Sequence, residues 1–288
     1  MGGAPETAVW DDRAPVYVSP HCLDDGSSWL RLYRGIGFEV LEVTGVARYF
    51  VWPERVTCHL LDAACADLVQ VYLLGPVIAF WLERAGVPAL HAAGVSMDGR
   101  AVGLLSFSTG GKSTLAAGLL GRGHALLADD ILALETRGDT FLARPAFPSL
   151  RLWPSEARHW IGRWEELEQV THKAGKRHVP VGPQGLGIFC TTAQPLACLY
   201  VPQRREAGAA GRGVVIEPLS RREAVIELLR HSFAARLVEP LGLAGSRLDF
   251  FARLARKIPI RRFDYPSGLD ELPRVGQALE RDLERLAT

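Results

Sequence analysis

The chain lacks a charge excess of either sign. Its 33 Lys and Arg face 32 Asp and Glu, a formal net charge of +1 over 288 residues. A protein that grips nucleic acid by its phosphates carries a basic surplus, so nucleic acid is not expected as a partner. Cysteine is sparse as well: Cys22, Cys58, Cys65, Cys190 and Cys198 are odd in number and contain no CxxC pair. That argues against a disulfide framework or a structural zinc site and predicts small apolar side chains in a reducing compartment. The start, Met1 to Glu6, has no basic segment followed by an apolar run, so it does not read as a secretory signal. The most apolar stretch, Leu68–Leu82, is broken by Gln70, Gly75 and Pro76 and stops at Glu83-Arg84. It falls short of the roughly 20 residues a bilayer requires. It reads as a buried helix or helix pair, and a cytoplasmic protein with no membrane partner is expected.

What is present is a chain long enough, at 48% hydrophobic residues, for one substantial core and a small accessory lobe. Residues 28–60 alternate in short apolar runs broken by Gly35, Gly37, Gly45 and Pro53, which predicts strands. Residues 1–70 therefore read as an N-terminal β-rich lobe and 71–288 as a catalytic domain. Within the second, Ala101–Leu105 is a wholly apolar strand, Ser113–Leu120 an Ala/Leu helix closed by Gly121-Arg122-Gly123, and Ala125–Ala128 a second apolar strand. Strand, loop, helix and strand make one βαβ unit in a mixed or parallel sheet. Further on, Leu150–Trp164 reads as a surface helix, Thr171–Pro183 as a basic loop and Arg204–Gly213 as a Gly/Ala/Arg loop. Ser220 and Glu223 make a capping box for a helix to about Leu237. Leu272, Val275, Leu279, Leu283 and Leu286 form one stripe of a terminal helix.

The segment Ser106-Phe107-Ser108-Thr109-Gly110-Gly111-Lys112-Ser113-Thr114 fits the phosphate-loop pattern Gly-x-x-x-x-Gly-Lys-Ser/Thr everywhere but its first position. ATP phosphates need converging N–H donors with no side chain in the way, which small residues such as Ser108, Thr109, Gly110 and Gly111 permit. The helix that follows offers the positive end of its dipole. Lys112 would neutralise the β/γ-phosphates, Ser113 would ligate Mg²⁺, and Thr114 would reach the α-phosphate. Ser106 stands where glycine is usual; should that position need a positive φ, serine costs about 1 kcal/mol or more.

Asp129-Asp130 closes the second apolar strand, at the edge where open α/β sheets bind ligands. An Asp after a strand also serves as a turn or cap residue. Behind a phosphate loop, two adjacent acids allow one to accept the proton of an attacking hydroxyl while the other organises the metal. Lys173, Lys176 and Arg177 lie in a polar segment and are candidate clamps for the γ-phosphate; Arg144 and Arg151 are further candidates.

Leu90-His91-Ala92-Ala93-Gly94-Val95, Asp98-Gly99-Arg100, the phosphate loop, and Arg122-Gly123-His124-Ala125-Leu126-Leu127-Ala128-Asp129-Asp130 together resemble the catalytic core of the HPr serine kinase family, most strongly over Tyr72–Glu135. The resemblance implies a P-loop kinase core of the HPr kinase/phosphoenolpyruvate carboxykinase type: a mixed sheet flanked by helices, α/β in class. It also implies Mg²⁺-ATP, a serine acceptor and a tendency to form homo-oligomers. By the same resemblance His91 lies near the transferred phosphate, Asp129 is the base and Asp130 helps hold the metal. Three features depart from that family. Thr114 replaces a Glu, residues 1–70 do not match its N-terminal domain, and Gln184–Phe189 carries Gln where the family's run begins with Arg. The chain looks more like the divergent HPr-kinase-like proteins found with ribosomally made peptides, including lasso peptides. The expected function is transfer of the ATP γ-phosphoryl group to a serine of a peptide or small protein. A small-molecule hydroxyl kinase and a non-catalytic ATP-sensing regulator are the alternatives.

Overall fold

The computed structural model of the protein is described here over residues 10–107, 110–171, 175–205 and 213–286. The chain divides into two compact units, residues 1–86 with 236–244, and residues 87–235 with 245–288.

In the first unit β1 (Tyr17–Val18), β2 (Leu30–Arg34), β3 (Glu39–Val43), β4 (Ala47–Val51) and β5 (Val56–Leu60) pair in sequence order as an antiparallel meander. The β-rich N-terminal sheet read from alternation is thus present. Tyr33, Phe38, Val40 and Phe50 form a core on one face, with Trp10 and Trp52 against it. Beyond the sheet, a helical run holds α1 (Ala66–Tyr72) and α2 (Ile78–Arg84), joined by a wide turn where Gly75 leaves helical geometry beside Pro76. This is the expected helix pair, but the run is longer than Leu68–Leu82. At 22 residues, Ala63–Arg84 is long and apolar enough by those measures to cross a membrane, and only 22% of its most apolar window is buried, so the pair is not the buried one expected. It is fastened to the sheet of its own unit. Tyr49 donates to the Val69 carbonyl at 2.9 Å, the Trp81 indole to Trp52 at 3.0 Å, and Arg84 pairs with Glu39.

The second unit is built on a mixed sheet. Its strands are β6 (Ala89–Met97), β7 (Arg100–Leu105), β8 (Ala125–Ala128), β9 (Ile131–Arg137), β10 (Thr140–Ala143), a separate pair β11 (Ser149–Leu152) and β12 (Arg177–Pro180), then β13 (Ile188–Phe189), β14 (Gln194–Arg205), β15 (Val215–Pro218) and β16 (Ile260–Pro266). Its helices are α3 (Lys112–Leu120), α4 (Pro154–Trp160), α5 (Arg221–Arg230), α6 (Ala244–Lys257) and α7 (Leu272–Arg285). Two expectations change. β7 and β8 are not neighbours, because β6 lies between them, antiparallel to both. The stretch 150–164 is a strand and a short helix rather than one helix, and Trp153 caps α4 with Pro154 in its first turn. The helix begun at Ser220 does carry its capping box, but ends at Arg230. The loop expected over Arg204–Gly213 falls largely outside the described residues.

Pairing runs in a closed circuit, β6 to β9, β10, β14, β7 and back to β6. Gly94 and Gly103 face each other across β6 and β7, and Leu132 fills the space they leave. A Cβ at Gly94 would sit 2.6 Å from Leu132 Cδ1, and one at Gly103 2.9 Å from Leu132 Cδ2. Helix α3 is apolar all round because it is buried all round, as expected of a core helix. It packs against the sheet, β11 and α7, where Gly118 lets Leu272 approach. The predicted stripe of α7 (Leu272, Val275, Leu279 and Leu283) is buried in that core.

Candidate active site

β7 delivers the chain to Ser106, which is buried, and to Phe107, which is half exposed. Ser108 and Thr109, expected among the phosphate-binding residues, lie outside the described residues. Among the described residues of the segment the left-handed one is Gly111, at φ 84°, which caps the start of α3. Ser106 is not among the residues with positive φ, so the cost anticipated there does not arise. Its side chain instead occupies the space beside Gly110, where an added Cβ would fall 1.7 Å from Ser106 Oγ. The serine and the glycine are therefore complementary.

Lys112 and Ser113 open α3 and are buried. Opposite them β8 ends in Asp129-Asp130, and the chain turns at once into β9. The turn holds Asp130 at φ 68°, a conformation that aspartate tolerates better than most residues and that recurs at functional sites. The Ser113 hydroxyl donates to Asp129 Oδ1 at 2.8 Å, and the Arg151 amide donates to Asp129 Oδ2 at 3.0 Å. Asp130 is ringed by cations: Lys112 Nζ lies 2.7 Å from Oδ1, and Arg151 Nη1 3.0 Å from Oδ2. His91, on β6, places Nε2 at 2.9 Å from Lys112 Nζ and 3.6 Å from Asp130 Oδ1. The structure thus brings together His91, Lys112, Ser113, Asp129 and Asp130, and adds Arg151.

The two carboxyls are pushed apart. Burial, then the neighbouring Asp130 charge, raises the proton affinity of Asp129. Burial also opposes ionisation of Asp130, but His91, Lys112 and Arg151 overcome it and hold that carboxyl well below its ordinary range. Divergent environments in adjacent acids are the pattern of a base beside a permanent anion. Among the described residues no group of three or more His, Cys, Asp or Glu could hold a metal by itself. Mg²⁺ commonly takes only one or two carboxylates and draws its remaining oxygens from phosphate and water. The Ser113 hydroxyl beside paired carboxylates fits that ligand type. Ser113 pairs with Asp129, however, and not with Asp130 as the expected metal pair would have it.

A cavity of about 140 Å³ opens over this cluster, lined by Lys112, Ser113, Thr114 and Arg151 and reaching Trp153 and Lys176. Lys176 lies 5.4 Å from the Trp153 ring centroid. Arg177 is not at the cavity. Adjacent residues of an extended chain point to opposite faces, and Arg177 donates to the Leu167 carbonyl at 2.9 Å and lies over Trp164. Lys173 lies outside the described residues. Arg144 pairs with Glu135 at 3.6 Å instead.

His231 had no sequence signal. It is buried, with its ring centroid 4.4 Å from that of Phe107, and its carbonyl accepts from the His91 amide at 2.7 Å. Burial, then the charges of His91, Arg230 and Lys112, pushes its imidazole down to about 4. Its ring thus backs Phe107 while its carbonyl holds the backbone of His91.

No family model matches the chain. Over 111 residues, 38% of this chain, it is 34% identical to the HPr kinase/phosphorylase of Nitrosomonas europaea. The match spans 32% of that relative's length, so the chain covers about a third of it. A solved structure of the HPr(Ser) kinase/phosphatase from Coxiella burnetii aligns with 69% of this chain and 97% of its own, at 14% identity and a TM-score of 0.37. The chain is similar in sequence to the HPr kinase-like family.

Proposed function

We propose that the protein is a Mg²⁺-ATP-dependent kinase. In this reading the loop before α3 is a P-loop in a kinase core of the HPr kinase/phosphoenolpyruvate carboxykinase type, and the acceptor is a serine hydroxyl on a peptide or small protein, such as a ribosomally made lasso-type precursor. The observation that carries it is the meeting of Lys112 and Ser113, at the N-terminus of α3, with the divergent pair Asp129 and Asp130 at the end of β8. Lys112 and the helix N-terminus bind the phosphates. Ser113 and Asp130 would hold Mg²⁺, which when bound neutralises charge on the phosphate oxygens. Asp129 accepts the proton of the serine hydroxyl as its oxygen attacks the γ-phosphorus. The bond from the γ-phosphorus to the bridging oxygen breaks, a new P–O bond forms to serine, and ADP leaves. Arg151, Lys112 and Lys176 offset the charge on the phosphoryl group in transit. A homo-oligomer is part of this reading by analogy with the relatives.

The test is the intact mass of a serine-containing precursor peptide encoded beside the gene, after incubation with protein and Mg²⁺-ATP. Wild type is expected to add a phosphate. Asp129→Asn is expected to bind ATP and add none. ATP turnover that ignores the peptide would move the acceptor to a small molecule, and ATP binding without any transfer would make the protein a sensor.

A further inference from the structure

The cavity over Lys112 does not end at the phosphate positions. A second cavity, of about 130 Å³, is lined by Tyr265, Ser267, Leu269 and Leu272. The two share four wall residues, Gly111, Thr114, Glu156 and Arg204. The second therefore continues the first around the start of α3. At the junction the passage is tight against the backbone, since a Cβ on Gly111 would lie 2.9 Å from the Tyr265 hydroxyl.

The chemistry changes along this path. The first cavity is cationic, with Lys112, Arg151 and Lys176. The second offers the Tyr265 ring, three leucines (Leu115, Leu269 and Leu272) and the hydroxyls of Tyr265 and Ser267, surfaces that suit a flat heterocycle. At the boundary stands Arg204, at the end of β14, whose planar guanidinium can meet a phosphate or stack on a ring. Glu156, in the first turn of α4, stands there too. A carboxylate accepts hydrogen bonds and donates none. Beside bound phosphates it would only repel. Its Oε2 accepts from Ser155 Oγ at 3.0 Å, and its other oxygen has a use at that place if the ligand presents hydroxyl donors between its phosphates and its ring.

We propose that the Tyr265–Leu272 cavity takes the nucleoside base and that Glu156 accepts from the ribose hydroxyls, so that the protein selects ribonucleoside over deoxyribonucleoside triphosphates. This rests on the reading of the Lys112 loop as the phosphate site. It fixes the direction of the nucleotide, with the triphosphate toward Asp130 and the base toward Leu269.

Calorimetry on the full chain with Mg²⁺ tests it, using ATP, 2′-deoxy-ATP, 3′-deoxy-ATP and inorganic tripolyphosphate. Wild type should bind at least one deoxy analogue about tenfold more weakly than ATP, the weight of one charge-assisted hydrogen bond. Glu156→Ala should bring ATP to the level of that analogue. Leu269→Trp, which fills the base cavity from a partly exposed position, should weaken ATP about tenfold or more and leave tripolyphosphate within about twofold. Retained tripolyphosphate binding also shows that the variant is folded. Equal binding of all three nucleotides by wild type, or ATP binding untouched by Leu269→Trp, would overturn the proposal while the phosphate site stands. If wild type binds neither ATP nor tripolyphosphate, the phosphate site falls and the nucleoside site falls with it.

Discussion

Nε2 of His91 lies 2.9 Å from the ammonium nitrogen of Lys112, although the two residues enter the site from different elements, β6 and α3. His91 Nε2 also stands 3.6 Å from Asp130 Oδ1, so it accepts from the ammonium when unprotonated and faces the carboxylate when protonated. Lys112 also reaches Asp130 at 2.7 Å. The lysine is therefore aimed by two groups at once, and its removal and that of His91 should differ. Lys112→Ala should weaken ATP binding by about tenfold or more, through the loss of charge-assisted contacts to phosphate. His91→Ala should leave ATP affinity nearly intact and slow transfer by about a hundredfold, the lower range for a positioned polar group in phosphoryl transfer. Titration of ATP beside single-turnover transfer separates the two effects. If His91→Ala loses ATP as Lys112→Ala does, His91 belongs to binding alone.

The fit of Ser106 to Gly110 gives a cycle that can be measured by thermal unfolding. Gly110→Ala puts a methyl group 1.7 Å from Ser106 Oγ and should cost about 1–3 kcal/mol, the usual range for overpacking. Ser106→Gly removes the obstructing atom and should restore most of that loss in the double variant. Additive losses would show that the two side-chain positions are independent, and the departure from the phosphate-loop pattern would then need another cause.

His231 links the site to pH. Its imidazole is pushed from 6.5 to about 4 by burial and by His91, Arg230 and Lys112, with Glu227 Oε2 at 3.5 Å the opposing charge. A base with a depressed pKa is neutral in the folded protein while its unfolded counterpart takes up a proton. Its stabilising contribution is complete above about 6.5 and drains away as pH falls toward about 4. His231→Phe keeps a ring against Phe107 and removes the titration. The difference in Tm between about pH 7 and about pH 5 should be smaller in this variant than in wild type. An equal difference would mean that other groups carry the acid sensitivity.

The sequence made legible what depends on neighbours in the chain. The apolar run before the loop, the Ala/Leu helix after it, and Asp129-Asp130 at the strand end are all local patterns, and they stand where the patterns put them. So are the Ser220 capping box and the leucine stripe of α7. What could not be read depends on distant pairing. The insertion of β6 between β7 and β8 leaves no mark in either strand, because a fully buried strand reads the same in any sheet order. Lys176 and Arg177 are equally basic and equally plausible in sequence; only folding puts Lys176, just before β12, at the cavity and Arg177, the first residue of β12, against Trp164. His231 and Glu156 meet the site through folding alone.

One such distant junction should decide how firmly α7 is held. Asp282 on α7 is buried, and its Oδ2 accepts from the Tyr200 hydroxyl of β14 at 2.9 Å and lies 2.9 Å from Arg261 Nε of β16. The two strands are parallel neighbours, so one carboxylate ties the helix to both. Removing each partner has a different consequence. Tyr200→Phe deletes one hydrogen bond and leaves the carboxylate paired with Arg261, a loss of about 1 kcal/mol. Asp282→Ala strands a guanidinium that is only 17% exposed, and breaking a buried pair from one side costs about 3–5 kcal/mol. Denaturant unfolding of both variants should therefore show a loss several times larger for Asp282→Ala. Similar losses would mean that Arg261 finds water once its partner is gone. In that case α7 would be held by its buried leucines and by the pairing of Glu280 with Arg122 and His124, and not by the charge of Asp282.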